Sequence, residues 1–356
     1  AKDGDPEYET PTFRRSDAWH ATRREVQAVR GGVGINEVQN FGKFSVTGPA
    51  ARDWLDRMMA GRIPQPGRMS LTPMLSPKGR LWGDFTVSCL SETEFQLTAS
   101  YGAQDIHHRW FVQNADPNAH VENISDRRTG FQIAGPKARD LLKSCTRDDV
   151  DGIKFLDVRR MTIGQVGCIV QRVSFTGDLG YEIYCDPADQ RQLWWTLWLA
   201  GEPMGLTPFG MRAMMSLRLD RFFGSWQREF SPDYTAAETG IDRFISFKKN
   251  TAFIGRALAE QERANPPART LVTFEVDADD ADVVAYEPVF INGVVKGFCT
   301  SGGYSHHADK SIAFALIPRE DAADNLTAEI EIMGSLRKAT RISTPLFDPD
   351  GSAMRR

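Results

Sequence analysis

Hydrophobic spacing divides the chain into a body where helical and strand periods alternate and a tail where period two dominates. Trp19, Val26 and Val29 recur on one side of a helix over 16–30, with Ser16 placed to cap its N-terminus. A strand is expected over 42–47, a helix over 49–59, two strands within 81–97 joined by Ser91-Glu92-Thr93, and a helix over 101–114. FSVTG–PAARDWLDRM (44–58) returns in kind as FQIAG–PKARDLLKSC (131–145), an internal strand–helix repeat. Residues 168–175 and 181–185 read as a hairpin around Thr176-Gly177-Asp178-Leu179-Gly180, and helices follow over 188–200 and 210–223. Beyond a linker at Ala264-Asn265-Pro266-Pro267-Ala268 the apolar positions alternate, and Asn292-Gly293 marks a tight hairpin.

This pattern predicts an α+β fold in three parts. They are a lead-in over 1–15, a body over 16–263 and a small antiparallel β-barrel over 269–350. The length of 356 residues suffices to bury a large core without disulfides. Lys+Arg number 43 against 47 Asp+Glu, so the balance is slightly acidic and argues against a nucleic-acid partner. The five cysteines are scattered, with no CxxC, which argues for buried thiols in a reducing, cytoplasmic setting and against a zinc ribbon. No apolar run reaches the ~20 residues of a membrane span, no signal peptide is evident, and the start at Ala1 suggests a processed protein or part of a longer one.

Strand alternation over 81–88 gathers Trp82, Asp84, Thr86 and Ser88 on one face, and an aspartate beside tryptophan there is a candidate base. Glu182 and Tyr184 share a face on the second hairpin strand. A glutamate beside aromatics suits a pyrimidone-type ring, whose neighbouring N–H donors match a bidentate carboxylate. Met211, Met214, Met215 and Leu219 line a helix, with Arg218 beside them. Arg30-Gly31-Gly32-Val33-Gly34 reads as a turn, and the acidic run 277–282 as a solvated loop. Neither His107-His108 nor His306-His307 has metal-ligand spacing.

LSPKGRLWGDFTVS (75–88), SFTGDLGYEIY (174–184), PFGMRAMMSLRLD (208–220) and AETGIDRFISFKKNTAFIGRAL (237–258) resemble, in order and spacing, the T-protein (aminomethyltransferase) family of the glycine cleavage system. The wording is most similar to the tetrahydrofolate-binding C-terminal half of dimethylglycine and sarcosine dehydrogenases. The resemblance implies three lobes around a folate cleft. It further implies Asp84 as the catalytic aspartate, and Tyr181, Glu182 and Arg218 as folate contacts. The family's paired acidic strand residues are Gly83-Asp84 here, and two positions often tyrosine are Leu71 and Ser88, which fits the amine-oxidising branch. The implied partners are folate, a small methylated amine or its iminium, and a flavin-binding domain or subunit. FAD would sit on that partner, because these residues hold no dinucleotide fingerprint. A free-standing folate methyltransferase or demethylase and a non-catalytic folate-binding assembly protein are the alternatives.

Overall fold

The computed structural model describes Thr10 and residues 12–356. It holds an antiparallel sheet and a mixed sheet, each backed by helices, followed by a closed barrel. The first sheet runs Met69–Leu75, Leu81–Ser91, Glu94–Ser100, Phe41–Thr47, His120–Asn123. Phe44, Val46, Phe85, Val87, Phe95 and Leu97 point from it onto helices Ala51–Met58 and Gln104–Gln113, forming one dry core. The second sheet runs Thr207–Pro208, Gly34–Glu37, Thr129–Ala134, Gly180–Cys185, Val166–Gln171, Val158–Ile163. Its apolar face packs on helices Ala138–Cys145 and Gln190–Gly201.

The sequence repeat is a structural one. In each half a strand (Phe41–Thr47, Thr129–Ala134) passes through a positive-φ glycine into an eight-residue helix. A Cβ on Gly48 would lie 2.4 Å from the Asn118 carbonyl oxygen, and one on Gly135 would lie 2.4 Å from that of Val29. Glycine is required on both counts, conformation and close approach.

The barrel strands close in the order Arg269–Val276, Lys310–Pro318, Val294–Ser305, Pro288–Ile291, Thr327–Ile332, Ser335–Ile342. Asn292 and Gly293 both carry positive φ, as the expected hairpin turn requires. A register shift between Cys299 and Ser301 leaves Thr300 as an extra residue. The neighbouring side chains of Thr300 and Ser301 therefore both serve one cluster outside the barrel.

That cluster lies beside helix Met211–Asp220. Arg218, 1% exposed, donates to Glu229 Oε2 at 3.2 Å, the Phe223 carbonyl at 2.9 Å and Ser301 Oγ at 2.9 Å. Glu229, wholly buried, also accepts from Thr300 Oγ1 at 2.7 Å and the Ser225 N–H at 3.0 Å. At the helix end, Asp220 accepts from Arg30 at 2.7 Å and from Ser305 Oγ at 2.5 Å, while Arg30 also bonds Asp178.

Two expectations shift. The first helix is Ala18–Gly31 with Asp17 at its N-cap, because the Ser16 carbonyl already accepts the Trp19 N–H in the preceding turn. The acidic run is more than a solvated loop. Arg15 pairs with Asp282 at 2.8 Å and donates its backbone N–H to the Asp280 carbonyl, and Arg14 pairs with Asp280. Residues 1–9 and Pro11 of the expected lead-in lie outside the described residues.

Two stability measurements follow from this architecture. Arg218→Met should cost about 3–5 kcal/mol in denaturant unfolding, since it strands a buried carboxylate, and adding Glu229→Gln should recover part of the loss. Additive losses would show that the two side chains do not act as a pair. Gly135→Ala should destabilise by at least about 1–3 kcal/mol and by more than Gly205→Ala, which shares positive φ but meets nothing within 4 Å. Equal losses would mean that close packing at Gly135 contributes nothing.

Candidate functional site

The sheet faces turned away from the helices are polar, and they face each other. On the first sheet this inner face carries Lys43 and Ser45, then Gln96 and Thr98 opposite them, then Asp84, Thr86 and Ser88. On the second it carries Glu182 and Tyr184, with Gln132 and Gln171 flanking Glu182. An apolar seam of Phe41 and Leu90 with Val158, Ile169 and Tyr184 joins the two sheets. Arg68, beside the first sheet, pairs with Asp157 beside the second, and Arg160 of the second sheet pairs with Glu94 of the first.

Asp84 sits where alternation places it, facing inward beside Thr86, while Gly83, Phe85 and Val87 face the helix side and are buried. Its Oδ1 is buried without a hydrogen-bond partner. Burial away from water raises its carboxyl to about 7, although its own backbone N–H bonds it and pulls the other way. Trp82 does not share this face. A register shift opposite Met74 and Leu75 makes it an extra residue, and its ring packs on Trp110, 5.4 Å between centroids, against the helix-side core.

Glu182 is 7% exposed, and its Oε2 accepts from the Tyr184 hydroxyl at 2.6 Å. Burial lifts this carboxyl to about 7, while the Tyr184 hydrogen bond and then the Lys43 charge hold it lower than burial alone would. Lys43 itself is wholly buried, and burial lowers its ammonium to about 8.

The other two expected contacts are elsewhere. Tyr181 is wholly buried in the helix-side core of the second sheet, paired across the strand with Ile133. The cause is elementary, since adjacent residues of a strand point to opposite faces and Glu182 takes the inner one. Tyr184, two residues on, is the aromatic beside Glu182. Arg218 is enclosed by Glu229, Phe223 and Ser301, so its guanidinium links the body to the barrel rather than presenting a free fork. Asp84 and Glu182 are therefore the expected residues brought to facing polar walls. Sequence reading missed Lys43, whose only signal was its place in strand alternation with Phe44.

These walls suit a flat polar heterocycle such as a pterin. Ser88 Oγ, Gln96 Nε2 and both amide atoms of Gln171 are buried without partners in the protein. Such orphans are costly unless a ligand or water brings complementary groups. Among the described residues no helix is long and apolar enough to cross a membrane.

Residues 6–249 match the family model of the GCVT N-terminal domain, and residues 269–348 that of the glycine cleavage T-protein C-terminal barrel domain. The chain is 33% identical to human mitochondrial dimethylglycine dehydrogenase over 341 residues, 94% of this chain but 39% of that protein. It thus spans about two fifths of the length of the dimethylglycine dehydrogenases it matches. It is 30% identical to the aminomethyltransferase of Bacillus subtilis (strain 168) over 328 residues, 91% of this chain and 90% of that one. The solved glycine cleavage system aminomethyltransferase T from Bartonella henselae superposes with a TM-score of 0.85, covering 96% of this chain and 94% of that one, at 19% identity. That likeness establishes the three-lobed fold. With its two-sheet body and closed barrel each matched in order, the chain belongs to the glycine cleavage T-protein (aminomethyltransferase) family.

Proposed function

We propose that this chain is a tetrahydrofolate-dependent one-carbon transferase. It takes a methylene or methyl unit from an N-methylated amine such as dimethylglycine or sarcosine, and it works beside a flavin-binding domain or subunit. The observation that carries this reading is the pair of inward-facing carboxyls, half-buried Asp84 with one oxygen enclosed and buried Glu182, on facing polar walls with unpartnered polar atoms around them. The flavin partner is supported by the chain's match to only part of the dimethylglycine dehydrogenases.

Tetrahydrofolate would supply the amine nitrogen that takes up the one-carbon unit. Glu182 offers two carboxylate oxygens to adjacent N–H donors of the ring and fixes its orientation, which removes an entropic part of the barrier. Asp84 faces inward with an oxygen free of other partners, so it steadies positive charge developing nearby and accepts the proton released. The low-dielectric setting that raises its pKa also strengthens both effects. Enclosure between the sheets keeps water from an electrophilic carbon.

Calorimetric titration should show tetrahydrofolate or folinic acid binding with a matching rise in melting temperature, and no heat at saturating ligand would reject the reading. Glu182→Gln puts an amide donor against ring donors and should weaken binding by about 1.5–3 kcal/mol. Asp84→Asn should leave most folate affinity but slow 5,10-methylenetetrahydrofolate formation, above the uncatalysed formaldehyde background, by about 10²–10⁴-fold. Because Asp84 must be unprotonated to act, the transfer rate at saturating tetrahydrofolate should rise with pH through about 7, and Asp84→Asn should abolish that rise. A variant that keeps both rate and pH profile would make Asp84 an ordinary strand residue.

A further inference from the structure

We propose that Lys43 is a positioning residue: the counter-charge across the cleft that keeps the Glu182 carboxyl ionised and so able to accept two N–H donors. The role in ligand binding rests on the folate reading above. The electrostatic role does not.

The geometry is unusual for a lysine. On strand Phe41–Thr47 its neighbour Phe44 enters the helix-side core, so Lys43 points to the inner face and is 0% exposed. An ammonium has three donors, and Lys43 Nζ makes one hydrogen bond, to the Phe41 carbonyl at 2.8 Å. A buried cation with so few partners is strongly disfavoured unless an opposite charge offsets the loss of water. The groups facing it are Thr98 from the adjacent strand, Asp126 from the turn Ser125–Arg127, and Glu182 from the opposite sheet, the last having the larger influence. Glu182 is set the same way, with Tyr184 from its own strand, the uncharged Gln132 and Gln171 on its flanks, and Lys43 as the cation that acts on it.

The consequence is chemical. A neutral carboxyl carries its own O–H and can accept a ring N–H at its carbonyl oxygen only, whereas a carboxylate accepts at both oxygens. Burial alone would leave Glu182 protonated at neutral pH, and the ammonium opposite offsets part of that penalty. Lys43 thereby sets the lower edge of the pH range in which the cleft can grip a ring with paired N–H donors.

Two measurements on the full chain separate this from a packing role. In the ligand-free protein, the ¹³C-carboxyl titration of Glu182, assigned by its loss in Glu182→Gln, should move up by about one pH unit in Lys43→Met and Lys43→Gln, and return in Lys43→Arg. In tetrahydrofolate titrations, Lys43→Gln should weaken binding by about fivefold at pH 7 and less than twofold at pH 9, the change in ionised fraction that one such unit implies. In a Glu182→Gln background the same substitution should have no pH-dependent effect. Lys43→Gln keeps a donor for the Phe41 carbonyl, so it serves if Lys43→Met fails to fold. An unmoved Glu182 titration in Lys43→Gln would overturn the proposal, as would an affinity loss of equal size at pH 7 and pH 9. If the wild type binds no folate while the Glu182 titration shifts as expected, the functional reading falls and the counter-charge role stands.

Discussion

Helix Met211–Asp220 carries the constraint on which the arrangement of lobes depends: two charged residues, Arg218 and Asp220, are buried on it with partners from the first helix, from the stretch over 223–229 and from the barrel. Asp220 holds Arg30 of the first helix and Ser305 of the barrel, and Arg30 in turn holds Asp178 in the turn before Glu182. Arg218 holds Glu229, which reaches back to Thr300. Ion pairs taken out of water contribute little net stability, but a wrong docking would leave one of these charges unpaired at a cost of several kcal/mol. Their effect is to make one relative placement of the lobes far better than its neighbours.

Fixed placement matters because the space between the sheets is not held by a core. Elsewhere the inner faces of packed sheets interdigitate apolar side chains. Here they present Lys43, Ser88, Gln96, Glu182 and Gln171, and only the seam around Phe41 and Tyr184 is apolar. Left to hydrophobic packing, two such faces would have no preferred separation. The links at Arg68–Asp157 and Arg160–Glu94 add edge contacts, and the helix-borne charges supply the rest.

Much of this was legible in the sequence, and the failures are instructive. Period two placed Asp84 and Glu182 on inner faces, because the apolar residues between them had to meet helices. The same rule puts Tyr181 opposite Glu182, yet family resemblance grouped the two by adjacency in sequence, and the strand geometry overrules it. The bulge that turns Trp82 toward Trp110 left no local mark, since it is defined by the partner strand. Strand Met69–Leu75 went unread because Pro73 interrupts it, which a position at the sheet edge tolerates. Arg30, Asp220 and Glu229 were beyond reach, because what buries them arrives from residues more than a hundred positions away or from another lobe.

Lys43 shows why burial is the least readable quantity in a strand. Alternation told that it faces away from Phe44, and on a one-sided sheet such a lysine is solvated. Only the second sheet, whose facing strands come from residue 129 onward, converts that face into an interior. Once it does, the same burial acts on every titratable group there with opposite signs, pushing Asp84 and Glu182 up and Lys43 down toward neutrality. A cleft built this way holds three groups that titrate close to neutral pH. Its protons are therefore available to respond when a ligand displaces the remaining water and brings donors or positive charge between the walls.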